Sequence, residues 1–142
     1  GFGEVVGATP DGRKAGEPVA DTESPFHGTD VKGPTAILKS VAKLDHIYLS
    51  GGSILNLKLS PSLFETKKGT MNLAALIKTY FDLKGMELQF NVISADTLRN
   101  AQKFPDRYQD LIIRVAGYSA QFVTLDTAVQ NDIITRTEHT AL

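Results

Sequence analysis

The 142-residue chain contains no cysteine and no tryptophan. Without a thiol it can supply no disulfide, no thiolate metal ligand and no cysteine nucleophile of its own. The same absence points weakly to a cytoplasmic protein. No charge of either sign dominates: 15 basic residues are scattered among 16 acidic ones, for a formal net charge of −1. Such a balance makes no strong field, which argues against a nucleic-acid or anionic-membrane surface. No apolar run approaches the roughly 20 residues that a membrane-spanning helix needs. The first 16 residues are Gly-rich and charged, without the apolar core of a signal peptide.

What is present suits one compact domain: 42% of residues are hydrophobic and 22% are charged. The chain opens at Gly1-Phe2-Gly3 rather than at methionine and runs straight into a loop-like stretch. We read it as an excerpt from a longer chain. Residues 1–34 hold much of the Gly and Pro, with a turn signal at Thr9-Pro10-Asp11-Gly12-Arg13, where Pro presets φ and Gly accepts positive φ. So long an irregular stretch is either functional or seated on something larger.

Pro34 opens a predicted helix whose apolar face is Ile37, Leu38, Val41 and Leu44. Residues 54–60 alternate as a strand does, and Pro61 stops them. A second helix is predicted over about 69–82, with Leu73, Leu76, Ile77 and Tyr80 on one face. Residues 86–93 alternate again, with Leu88, Phe90 and Val92 opposite Gln89 and Asn91. Ser94 caps a third helix over about 95–103. Two short apolar runs, 111–115 and 122–125, flank Gly117, and a last helix runs from a cap at Thr124 or Asp126 to about Thr137. Strands that alternate with helices argue an α/β fold with parallel pairing, and two main strands are too few for a complete sheet. Asn56, Lys58, Gln89 and Asn91 interrupt these strands with polar side chains. Either the sheet has one wet face or these residues line a barrel interior near a reaction site.

The segment Arg114-Val115-Ala116-Gly117-Tyr118-Ser119-Ala120-Gln121-Phe122 resembles the signature of glycyl radical enzymes. Three further stretches resemble the same family in the same order: Gly7 to Pro18, Gly33-Pro34-Thr35 followed by Ser40 to Leu44, and Ile133 to Thr137. The resemblance spans essentially the whole chain. It implies an α/β fold made of the C-terminal segment of the family's ten-stranded barrel, with residues 1–104 as barrel and entry loop and 105–142 as glycyl radical loop and terminal helix. It also implies that Gly117 carries the radical. An activating enzyme with an S-adenosylmethionine-bound [4Fe-4S] cluster would install it, reading Arg114, Val115, Ala116, Tyr118 and Ser119. The radical would pass to a cysteine outside this chain, in an enzyme expected to be a homo-oligomer of anaerobic, oxygen-sensitive metabolism. No permanently bound cofactor is implied.

Chemistry gives a reason for glycine there. A Cα radical is stabilised by sharing its electron with the amide nitrogen on one side and the carbonyl on the other, which needs a near-planar Cα. A side chain would crowd that geometry. The bland alternative is a turn glycine between two short strands. Ala116, Ser119 and Lys43-Leu44-Asp45-His46 resemble the dehydratase and lyase branch more than the pyruvate formate-lyases. Two other readings stay open: a free-standing spare part that repairs an oxygen-cleaved formate-lyase-type enzyme, and a non-catalytic interaction domain of the same fold. His27, His46 and His139 lack metal-ligand spacing.

Overall fold

A computed structural model of the chain describes residues 3–142, so the opening Gly1-Phe2 lies outside the described residues. The loop region up to residue 33 is ordered by turns. Arg13 is buried at its centre and donates to the carbonyls of Lys14 (3.0 Å), Glu17 (2.6 Å) and Gly7. The regular elements are helix α1 (Pro34–Val41), strand β1 (Asn56–Leu59), helix α2 (Lys67–Asp82), strand β2 (Gln89–Val92) and helix α3 (Ala95–Lys103). They are followed by strands β3 (Ile112–Arg114) and β4 (Ser119–Gln121), helix α4 (Thr127–Thr135) and strand β5 (Glu138–His139).

β1, α2 and β2 make a parallel crossover unit, and β5 returns to the other side of β1. The resulting sheet has the order β2-β1-β5, with Lys58 opposite both Asn91 and Glu138. β3 and β4 form a separate antiparallel hairpin. One apolar core joins Ile37, Leu38 and Val41 of α1 to Leu55, Leu57 and Leu59 and to Tyr80 of α2. A second joins Leu98 and Ala101 of α3 to Ile113, Val115, Phe122 and Ile133. β1 is therefore buried on both faces, with leucines toward the first core and Asn56 and Lys58 on the opposite face.

Caps account for two helix starts. Thr66 accepts from the Gly69 N–H at the start of α2, and Ser94 accepts from the Thr97 N–H at the start of α3. Glu138 of β5 also accepts from the Ala95 N–H at 2.7 Å, tying the sheet to α3. At the other end of α4, the buried Lys58 ammonium donates to the carbonyls of Ile133 (3.3 Å) and Ile134 (2.9 Å), which have no partner within the helix.

The structure departs from the sequence reading at four places. α1 ends at Val41 and tightens into i→i+3 turns, which leaves Leu44 exposed rather than on the core face. The second hairpin strand is 119–121, and the apolar run that follows is a 3₁₀ turn, Phe122–Thr124. Phe122 still donates its N–H to the Leu111 carbonyl at 2.8 Å, and its ring fills the second core. Asp126 sits at the cap position of α4 without a side-chain cap bond, and the helix ends at Thr135 because Arg136 turns extended. β5 was not expected; two residues are too short to show a period.

Two outcomes test this packing. A Cβ on Gly69 would come within 1.5 Å of the Leu63 carbonyl oxygen, a backbone atom that cannot swing away. Gly69→Ala should therefore destabilise the protein by about 2 kcal/mol or more in urea unfolding, and an unchanged midpoint would contradict the geometry. Burial pushes the Lys58 ammonium down to about 8, against the attraction of Glu138. The unfolded chain then binds more protons between pH 8 and the ordinary lysine value, so Lys58 makes stability rise with pH across that window. The rise should be smaller in Lys58→Met, read as urea midpoints from pH 7 to pH 10.

Candidate functional site

Residues 115–118 form the turn that joins β3 to β4. Arg114 pairs with Ser119 across the ladder, and the Val115 N–H donates to the Tyr118 carbonyl at 2.9 Å. Val115 and Ala116 bury their side chains, whereas Gly117, Tyr118 and Ser119 are exposed, Tyr118 at 53%. The Gly117 Cα therefore lies at an accessible tip whose approach is held from below.

The turn does not need glycine for its shape. Gly117 is absent from the glycines with positive φ, such as Gly12, Gly33 and Gly52. A Cβ there would meet only the Ile54 Cδ1, at 3.0 Å. That atom is the tip of a flexible side chain, and a few tenths of an ångström of movement would admit a methyl group.

Polar side chains hold the three residues before it. Asn91 Nδ2 donates to the Arg114 carbonyl at 2.8 Å, and the Arg114 N–H donates back to Asn91 Oδ1 at 2.9 Å. Arg136 Nη1 donates to the Val115 carbonyl at 2.6 Å. Asn56 Nδ2 makes a longer 3.5 Å contact with the Ala116 carbonyl. The Arg114 guanidinium lies back along the sheet, donating to Gln89 Oε1 (2.8 Å) and Ser119 Oγ (3.1 Å).

A second layer orients these groups. Asp21 Oδ2 accepts from Asn56 Nδ2 at 2.7 Å and lies 3.2 Å from Arg136 Nη1. Arg136 Nη2 bonds Asp132 at 2.9 Å. Asp21 and Arg136 are both largely buried, so neither charge could stay unpaired without several kcal/mol of desolvation. Further along, the Thr137 hydroxyl donates to Asp30, which lies 3.2 Å from His139 Nε2. Burial pushes the His139 imidazole below its ordinary value, and Asp30 partly restores it. His27 lies 3.4 Å from Asp132 and His46 lies 3.7 Å from Glu23. Among the described residues, no group of three or more His, Cys, Asp or Glu side chains is placed to share a metal ion.

Of the residues singled out in the sequence, Gly117, Tyr118 and Ser119 share the exposed tip, Val115 and Ala116 are buried, and Arg114 is half-buried, reaching Ser119. The polar strand positions Asn56, Gln89 and Asn91 are buried against this hairpin, so theirs is no wet face. Two holders escaped the sequence reading. Asp21 sits in an irregular stretch with no pattern to mark it. Arg136 lay inside the recognised final motif but reads locally as a surface cation. Asn91→Ala would leave a donor and an acceptor of Arg114 without their partner, costing about 2 kcal/mol. Amide hydrogen exchange should then quicken selectively over 114–121, and unchanged protection there would show that Asn91 does not hold the loop.

Residues 19–123 match the family described as "Glycine radical". The trans-4-hydroxy-L-proline dehydratase of Clostridioides difficile is 48% identical over 139 residues, which is 98% of this chain and 18% of the relative. The isethionate sulfite-lyase of Bilophila wadsworthia is 49% identical over 140 residues, 97% of this chain and 17% of the relative. Among solved structures, the glycerol-bound B12-independent glycerol dehydratase from Clostridium butyricum superposes with a TM-score of 0.94 at 57% identity, over 98% of this chain and 18% of that one. The chain thus spans 17–18% of the length of these relatives. No helix among the described residues is long and apolar enough to cross a membrane. With the family match covering most of the chain and these relatives agreeing on it, the chain belongs to the glycyl radical enzymes, as part of their glycine radical region.

Proposed function

We propose that Gly117 carries the radical and that this chain is the radical-bearing portion of a dehydratase or lyase. The observation that carries the reading is the mismatch between shape and identity at Gly117. The turn would admit an alanine, so backbone geometry does not explain the glycine. A captodative Cα radical does, because it needs a Cα without a side chain.

In this reading an activating enzyme, using S-adenosylmethionine and a [4Fe-4S] cluster, removes one hydrogen atom from the Gly117 Cα. Within this portion of the enzyme, Gly117, Tyr118 and Ser119 form the tip of the hairpin. Arg114, Val115 and Ala116 belong to the recognised peptide but become readable only when the loop leaves its polar bed. Residues 105–142 supply the radical loop and terminal helix, and residues 1–104 the scaffold beneath them. The radical then exchanges with a cysteine on another portion of the protein, whose thiyl radical abstracts hydrogen from substrate. This chain has no cysteine and does not turn over substrate alone. The full-length enzyme is cytoplasmic and homo-oligomeric in this account, and its reaction is an elimination beside the substrate radical. The free-standing spare part and the non-catalytic domain are not favoured, because the relatives matched here are dehydratases and lyases.

Oxygen supplies the test. Activated protein exposed to air should be cut at residue 117, separating a fragment that begins at Tyr118 and is visible by mass spectrometry. Gly117→Ala should stay whole under the same treatment. Uncut wild-type protein, after activation confirmed by 5′-deoxyadenosine release, would falsify the assignment.

A further inference from the structure

Beneath the radical loop lies a small chamber of about 20 Å³, lined by residues that include Asp21, Asp30, Asn56, Lys58, Arg136 and His139. Its volume suits one water molecule and little else. Four buried polar atoms on its lining residues have no hydrogen-bond partner: His27 Nε2, His139 Nε2, Asn56 Oδ1 and Arg136 Nε. The two imidazole nitrogens face carboxylates, Asp132 at 3.4 Å and Asp30 at 3.2 Å, which leaves Asn56 Oδ1 and Arg136 Nε. The orientation of the Asn56 amide is fixed by its neighbour. Asp21 can only accept, so the 2.7 Å bond to Asp21 must come from Nδ2, and Oδ1 is the atom left over. Arg136 likewise spends Nη1 on Val115 and Asp21 and Nη2 on Asp132, which leaves the Nε–H.

One unpaired acceptor and one unpaired donor select the ligand. A bare cation could satisfy only Asn56 Oδ1, and a halide could satisfy only Arg136 Nε–H. Water does both. The charges around the chamber also balance, since Asp21 and Asp30 stand against Lys58 and Arg136. An ion would add a net charge to a site lined by buried polar side chains, and water adds none.

We propose that this chamber is a binding site for one ordered water, which donates to Asn56 Oδ1 and accepts from Arg136 Nε–H. The two side chains it joins are those that hold the Ala116 and Val115 carbonyls. The water thereby braces the floor of the Gly117 turn from within. The site depends only on these side chains and stands whether or not Gly117 carries a radical.

The test is a crystal structure of the full-length, unactivated protein, at a resolution that shows its other buried waters. We expect one fully occupied water within hydrogen-bond distance of both atoms. An empty chamber, or an anomalous peak in it after soaking with bromide or rubidium, would overturn the proposal. Asn56→Leu keeps the branched four-atom skeleton, is bulkier, and removes the acceptor. A water persisting there at full occupancy in that variant contradicts the site. Should the variant fail to fold, the wild-type density still decides.

Discussion

One amide side chain closes both backbone groups of Arg114, and the position of the Gly117 turn depends on that pairing. Asn91 projects from β2 and meets β3 three residues before the glycine. Around it, Asn56 and Gln89 extend the same polar surface, and Arg136 reaches in from the end of α4. Satisfied amides and paired charges in a low-dielectric setting are worth more together than one by one, and they tolerate little displacement. A loop held through its main chain keeps its position whatever its exposed side chains are. That suits a turn whose key residue has no side chain to hold.

The polar layer also explains an inverted sheet. Gln89 and Asn91 are buried, while Val92 on the other face of β2 is 49% exposed. An isolated strand would bury the valine. β2 and β5 are the two edges of the sheet, and neither has a further strand beside it among the described residues. Open edges and a half-covered apolar face fit a chain that spans 17–18% of its relatives. Lys58 and Glu138 extend the polar arrangement across the sheet, one toward α4 and the other to the start of α3, so the terminal segment is tied to the strands at both ends.

Much of this was legible in the sequence. The capping Ser94, the alternation over 54–60 and the apolar face Ile37, Leu38 and Val41 each name a local physical demand, and each element stands where it was read. The glycine and its neighbours were legible through resemblance, not through spacing. Asn56, Gln89 and Asn91 were visible as anomalies, but sequence alone could not say whether water or a loop lay opposite them. Asp21 was illegible because its partners, Asn56 and Arg136, are 35 and 115 residues away (56 − 21 and 136 − 21). Phe122 misled because burial in a core and pairing in a strand both call for an apolar residue.

Anaerobic electron paramagnetic resonance tests the central claim most directly. The full-length protein would be incubated with its activating enzyme, reductant and S-adenosylmethionine. The account predicts a glycyl doublet that collapses when the glycines carry deuterium at Cα and is absent in a folded Gly117→Ala variant. A doublet of undiminished intensity in that variant would place the radical elsewhere and contradict the account.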